Sequence, residues 1–302
     1  MPTELPPTID PVAARRWARR LLPSSAWLHE EVARRMEERL DLMTLQPKTW
    51  VHWEPLRGGM QAHALLQRRY RKSECFMLLE HAEHAQAAIK NVALPWWKPA
   101  RWQGPVTQTK SPSAPVQMVW ANMALHMASD PHAMIARWHA LLDTGGFLMF
   151  SCLGPDTLRE LRQLYSRMDW PAPSHEFTDM HDWGDMLVRA GFADPVMDME
   201  RITLTYDTPA ALLHELRGLG RNLHVQRFAG LRARAWKKHL EATVHTQLAE
   251  ESHAGRLALS FEVIYGHAFK PAPRIAMQAQ SHVPLEDFKA ALKKGKSTLA
   301  SG

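Results

Sequence analysis

The stretch from Val116 to Ser151, VQMVWANMALHMASDPHAMIARWHALLDTGGFLMFS, constrains the architecture more than any other part of the chain. Val116-Gln117-Met118-Val119-Trp120 is an apolar run of the length of a buried strand, and Ala121-Asn122 ends it. After Asp130-Pro131, apolar residues recur at Met134, Ile135, Trp138, Leu141 and Leu142, which is helical spacing with proline in the first turn. Gly145-Gly146 are expected to stop that helix, because glycine reaches left-handed backbone angles cheaply. Phe147-Leu148-Met149-Phe150 reads as a second buried strand. Strand, helix and strand with short joints make a right-handed crossover, hence a parallel sheet covered by helices. Ligands of such sheets bind beyond the carboxyl ends of the strands, here near Ala121-Asn122 and Ser151-Cys152.

Further elements fit this plan. Thr49–Trp53 reads as the first strand and Cys75–Leu79 as the second, followed by a helix from His81 to Ile89. A helix from Thr157 to Met168 is expected to start at Asp156 as its N-cap, and another from Phe177 to Ala190 to close at Gly191. Met197–Tyr206 and Leu259–Phe269 alternate as strands. Between them residues 207–256 are helical in pattern and too long for a plain connection. The expected fold is α/β. Residues 1–10 form a loose leader, 11–270 the domain with its helical insertion, and 271–302 a Lys- and Ala-rich tail.

Val119-Trp120-Ala121-Asn122-Met123-Ala124-Leu125-His126, Asp130-Pro131 and Leu142-Asp143-Thr144-Gly145-Gly146 resemble the fourth and fifth strand region of class I methyltransferases, a Rossmann-like class that uses S-adenosylmethionine. The segments 150–161, 177–187 and 189–198 narrow the likeness. Together they resemble the malonyl-acyl-carrier-protein O-methyltransferases of biotin synthesis, from about Ile9 to Lys270. The likeness is strong after Val119 and poor between Lys48 and Gln117. It implies a seven-stranded mixed sheet of order 3-2-1-4-5-7-6, and methylation of the free carboxylate of a malonyl group on an acyl carrier protein during pimeloyl synthesis.

The poor part should hold the cofactor. The class has an acidic residue and three closely spaced glycines after its first strand, so that the backbone can approach the ligand. This chain reads Val51-His52-Trp53-Glu54-Pro55-Leu56-Arg57-Gly58-Gly59, in which only Gly58 and Gly59 remain and Glu54 is a shifted acid. Glu80, after the second strand, stands where such folds place a carboxylate on the ribose hydroxyls, or else caps the following helix. From Asn91 to Met118 there is no Asp or Glu, so the aspartate that the family sets against adenine is missing. Gln103 and Gln108 are partial substitutes. The expected cofactor-binding residues are therefore Glu54, Gly58, Gly59, Glu80, Ala121 and Asn122, with weak binding of S-adenosylmethionine at best.

Methyl transfer to a carboxylate needs alignment and exclusion of water rather than an acid–base pair, so no catalytic dyad is expected. A cation must orient the malonyl carboxylate, and Arg201, Arg217 and Arg221 are the candidates at or in the insertion. The resemblance makes the insertion a lid and puts Trp17 and Trp27 at the substrate pocket, with core anchoring as the alternative for both. The segment Arg217–Lys238 carries Arg217, Arg221, Arg227, Arg232, Arg234, Lys237 and Lys238 and no acidic residue. Such a one-signed face suits an acidic acyl carrier protein, and Arg15–Arg20 extend it.

Other classes are excluded or disfavoured. Two cysteines, Cys75 and Cys152, give no disulfide framework and point to a reducing cytoplasm. No apolar run is long enough to span a bilayer. The net charge of +6 permits nucleic acid, but no helix-turn-helix, finger or RNA-binding motif accompanies it. His81, His84, His126, His132 and His139 match no zinc spacing, so no metal is expected. The chain is expected to act as a monomer. Three readings stand: a working carrier-protein methyltransferase, a non-catalytic relative that keeps the partner surface, and the same fold with another substrate.

Overall fold

The computed structural model describes residues 9–22, 24–92, 106–249 and 254–272. The chain divides into a unit Met1–Pro271 and a C-terminal unit Ala272–Gly302, of which only Ala272 is described. Gln103, one of the two substitutes for the missing aspartate, lies outside the described residues.

The first unit begins with helices α1 (Pro11–Arg19) and α2 (Trp27–Glu38). Strand β1 (Thr49–Trp53) follows, then a one-turn helix α3 (Pro55–Gly58) and α4 (Met60–Arg69). Next come β2 (Glu74–Leu78), α5 (Ala82–Val92), β3 (Val106–Gln108), β4 (Val116–Ala121), α6 (Pro131–Leu141) and β5 (Leu142–Leu153). The chain continues through α7 (Arg159–Arg167), α8 (Met180–Arg189), β6 (Ala193–Tyr206), α9 (Pro209–Leu219), α10 (Arg234–Gln247) and β7 (Leu257–Phe269). The seven strands form one sheet in the order β3-β2-β1-β4-β5-β7-β6, as expected. The first five pair in parallel, and β7 lies antiparallel to both β5 and β6.

Burial on both faces explains why the central strands are nearly continuous apolar runs. Successive strand side chains alternate between faces. Trp50, Met118, Trp120, Phe147 and Tyr265 pack on one face with Leu28, Val32 and Met36 of α2. Val51, Trp53, Val119, Leu148 and Phe150 pack on the other with Trp138 of α6 and Trp183 of α8. His52 goes with the first face, where its Nδ1 meets Nδ1 of His63 at 3.1 Å and the two buried rings stack.

Three sequence expectations need correction. Gly145-Gly146 do not end α6. The helix stops at Leu141, Leu142 is already extended, and β5 starts at once. The glycines instead shape the strand: Gly145 has φ +78°, and a Cβ on Gly146 would lie 3.0 Å from the carbonyls of Asp143 and Gln117, where the β4–β5 register shifts. Asp156 does not cap a helix, because α7 begins only after Leu158, and its carboxylate pairs with Arg201 at 2.6 Å. Nor is the whole leader loose: Ile9 bridges to His224, while Asp10 caps α1 and pairs with Arg227 at 2.7 Å. No described helix is long and apolar enough to cross a membrane.

Candidate active site

The carboxyl ends of β1, β2 and β4 open into a crevice roofed by α1. Ala14, Trp17, Ala18 and Leu22 cover it, Trp53, Glu54 and Arg57 come from the β1 end, and Asn122 to Ala124 from the β4 end. His29 of α2 and Leu219 of α9 complete the wall. This hollow holds about 90 Å³. It shares Ala14, Ala18, Trp53, Glu80, Met127 and Met134 with a second hollow of about 270 Å³ that reaches Asp130 and Arg137. As one crevice they come to the low end of the ~300–1,000 Å³ typical of small-molecule sites.

Local backbone chemistry differs from an open glycine turn. Glu54 leaves β1 in a left-handed conformation, φ +46° and ψ +54°, which only glycine adopts freely. Pro55 then starts a single helical turn, and its amides turn inward: Arg57 and Gly58 donate to the Glu54 carbonyl at 3.0 Å, and Gly59 to that of Pro55 at 2.9 Å. The amino end of α4 is likewise satisfied within the chain. The Glu30 carboxylate accepts from the amides of Met60 (3.0 Å), Gln61 (3.1 Å) and Ala62 (3.4 Å).

The two glycines are needed for packing. A Cβ on Gly58 would lie 3.0 Å from the Asn122 carbonyl, and Gly59, at φ +120°, would meet the Glu30 carboxylate at 2.7 Å. Asn122 is also committed: its amide nitrogen donates to the carbonyls of His29 (2.8 Å) and Gly58, and its oxygen accepts from Ser151 Oγ at 2.6 Å. It holds α2, the β1 turn and β5 together. Ala121 is buried in the core and does not line the crevice.

Glu80 fits its expected place beyond β2. Its amide donates to Glu54 Oε1 at 2.7 Å, and its half-exposed carboxylate lies 3.8 Å from Arg137. Arg137 stacks on Trp53 at 4.7 Å, which gives this end of the crevice a flat wall. Gln108 is engaged through its side-chain amide with the Glu74 carboxylate.

Burial pushes the Glu54 carboxyl up to about 7 from 4.5, against the opposing hydrogen bond from the Glu80 amide. A raised folded pKa means that stability present below 4.5 is lost as pH climbs to about 7. Glu54→Gln keeps an acceptor for the Glu80 amide and removes the buried charge. It is expected to be about 1–3 kcal/mol more stable than wild type at pH 8 and little changed at pH 4. Urea denaturation at the two pH values measures this, and equal shifts at both would contradict it.

Of the substrate-side candidates, Trp17 is buried in the crevice roof. Trp27 is neither core anchor nor crevice wall. As the first residue of α2 it is 58% exposed, on a separate hollow with Glu30, Arg34 and Met60. Arg201 lies on the sheet's edge strand, held by Asp156, and does not line the crevice. Arg217 is exposed on α9. Arg221 donates to the carbonyls of Arg217 and Gly220 and sits 5.5 Å from the Trp17 ring, nearest the roof.

Sequence reasoning missed His29 and passed over Arg57 as a mere interruption. Arg57 Nη2 donates to the carbonyls of Trp17 (2.7 Å), Ala18 (3.1 Å) and Arg20 (2.6 Å) at the end of α1, and its guanidinium lies 4.5 Å from the Trp17 ring. A long cation inside a turn that should be small was the available signal.

Sheet order and crevice define a class I methyltransferase fold. Two solved structures share it over most of this chain. A candidate methyltransferase of Bacillus halodurans C-125 has a TM-score of 0.51 at 14% identity, covering 78% of this chain and 99% of its own. The YcgJ protein of Bacillus subtilis has 0.51 at 12%, covering 80% and 99%. No family model matches the chain. Among curated proteins, the malonyl-[acyl-carrier protein] O-methyltransferase of Laribacter hongkongensis is 38% identical over 260 residues, 83% of this chain and 85% of that protein. That of Gallionella capsiferriformans is 39% identical over 267 residues, 83% and 87% of the two chains. The chain belongs to the malonyl-[acyl-carrier protein] O-methyltransferase family.

Proposed function

We propose that the chain transfers the methyl group of S-adenosylmethionine to the free carboxylate of a malonyl group on an acyl carrier protein, the step that the resemblance assigns to biotin precursor synthesis. The observation that carries this is the roofed crevice at the β1, β2 and β4 ends in a chain of this family.

The residues present fit such a donor in altered form. Glu80 offers a half-exposed carboxylate to the ribose hydroxyls, and Trp53, Ala124, Met127 and Met134 offer an apolar wall to the base. The amides of Arg57, Gly58 and Gly59 offer nothing further, since they bond within the chain. The donor supplies a methyl carbon on a sulfonium, which an anionic oxygen can attack in line. For this chain what remains is to orient that oxygen and to exclude water. Trp17, Leu22 and Leu219 roof the site, and Arg221, beside Trp17, is the cation nearest to it among the three candidates. Arg201 is paired with Asp156 on the edge strand and does not line the crevice.

The helical insertion would dock the carrier protein. Val225, Phe228 and Leu231 are exposed on it, with Arg232 stacked on Phe228 at 4.1 Å and on Trp236 at 3.6 Å. Arg217, Arg234 and Lys238 are exposed on the same insertion. Exposed apolar side chains and cations together complement an acidic protein surface. The test of the function is methyl transfer to malonyl-loaded carrier protein, followed as the mass of the carrier.

A further inference from the structure

Two residues of the crevice wall each carry a buried side-chain nitrogen with no partner among the described residues: Arg57, at Nη1, and His29, at Nε2. His29 is 5% exposed. Its Nδ1 faces the Arg57 carbonyl at 2.8 Å, an acceptor only, so Nδ1 carries the proton. Nε2 of the neutral ring is then a buried acceptor, and burial keeps the ring neutral by pulling its pKa down to about 4. Arg57 Nη1 is a buried donor on a cation whose other terminal nitrogen, Nη2, is used by the end of α1. Unsatisfied buried groups are costly and rare in native proteins, and a bound ligand is one of the few things that completes them.

The pair is complementary to a zwitterion. One atom gives a hydrogen bond from a positive group, which suits a carboxylate. The other receives one, which suits an ammonium. The two residues are tied through the 2.8 Å contact, and Asn122 fixes the same place by bonding to the His29 carbonyl. Resting on the methyl-donor reading above, we infer that His29 Nε2 and Arg57 Nη1 hold the α-amino-acid end of the donor, Arg57 taking the carboxylate and His29 the ammonium. Arg57 thereby replaces, with one side chain, the amides that the helical turn Pro55–Gly58 has withdrawn. The site discriminates for amino-acid-bearing thioether nucleosides and against nucleosides lacking that end.

The experiment is a calorimetric titration of the full chain with S-adenosylhomocysteine and with 5′-methylthioadenosine, which has no amino-acid end. Wild type is expected to prefer S-adenosylhomocysteine by at least about tenfold, as for loss of a charge-assisted hydrogen bond. In Arg57→Ala and in His29→Phe the ratio of the two dissociation constants is expected to fall to about two or less. A structural defect would weaken both ligands alike and leave the ratio unchanged. Should Arg57→Ala not fold, Arg57→Gln decides, because its amide can still serve the α1 carbonyls without the charge. An unchanged ratio in the Arg57 variant overturns the assignment while leaving the donor reading intact. Absence of a preference in wild type also overturns the assignment. Failure of wild type to bind either nucleoside overturns both.

Discussion

Titration with S-adenosylhomocysteine is expected to give a dissociation constant well above the low-micromolar range. The structural ground is where the backbone donors go. The amides of Arg57, Gly58 and Gly59 bond to Glu54 and Pro55, and Pro55 has none. The helix amino terminus beyond them is neutralised by Glu30. Asn122 has both ends of its amide engaged, and Gln108 is held by Glu74. Each missing hydrogen bond to a buried ligand group costs about 1–3 kcal/mol, so two or three weaken binding by at least about one order of magnitude and by as many as about six. Arg57 and His29 recover part of this at one end of the ligand only. Calorimetry giving a low-micromolar constant for wild type would show that donors lie elsewhere.

The second large effect concerns association with the carrier protein. Replacing Arg217, Arg234 and Lys238 together by glutamate is expected to slow association by about 10- to 100-fold at low salt, and much less at high salt. These three are exposed and have no ion-pair partner among the described residues. Arg227, which the sequence also singled out, is omitted because it holds Asp10 at the start of α1, and reversing it would disturb the roof instead of the field. Arg221 is omitted because it binds the Arg217 and Gly220 carbonyls beside Trp17. Stopped-flow association at two ionic strengths measures the effect. Equal rates for wild type and variant at low salt would remove the insertion as the docking face.

Much of the fold was legible because the strands are buried on both sides. Thr49–Trp53 and the run from Val116 could be read as strands from apolar content alone, whereas the full strand order came with the family resemblance. Local signals misled where a residue has two physical uses. Gly145 and Gly146 could end a helix or kink a strand, and nothing in their neighbours distinguishes the two. Asp156 could cap a helix or pair with a cation 45 residues away, and distance in sequence hides the second. The same holds at the site. Glu80 was legible from its place after β2, whereas His29 reaches the crevice only through the packing of α2 against the β1 turn. The turn itself was recognisably not a glycine loop, but its helical form and the reach of Arg57 to α1 depend on contacts that sequence spacing does not contain.

The central claim is that a chain with this altered turn still serves methyl transfer to a malonyl carboxylate. The most direct measurement incubates the purified full chain with malonyl-acyl-carrier protein and millimolar S-adenosylmethionine and follows the carrier by mass spectrometry. A gain of one methyl group is expected on the malonyl carrier and none on a carrier bearing an acetyl group, with a rate that rises steeply with donor concentration. A malonyl carrier that keeps its mass at saturating donor, while still binding the protein, would contradict the claim and leave the chain as a carrier-binding member of the family without the reaction.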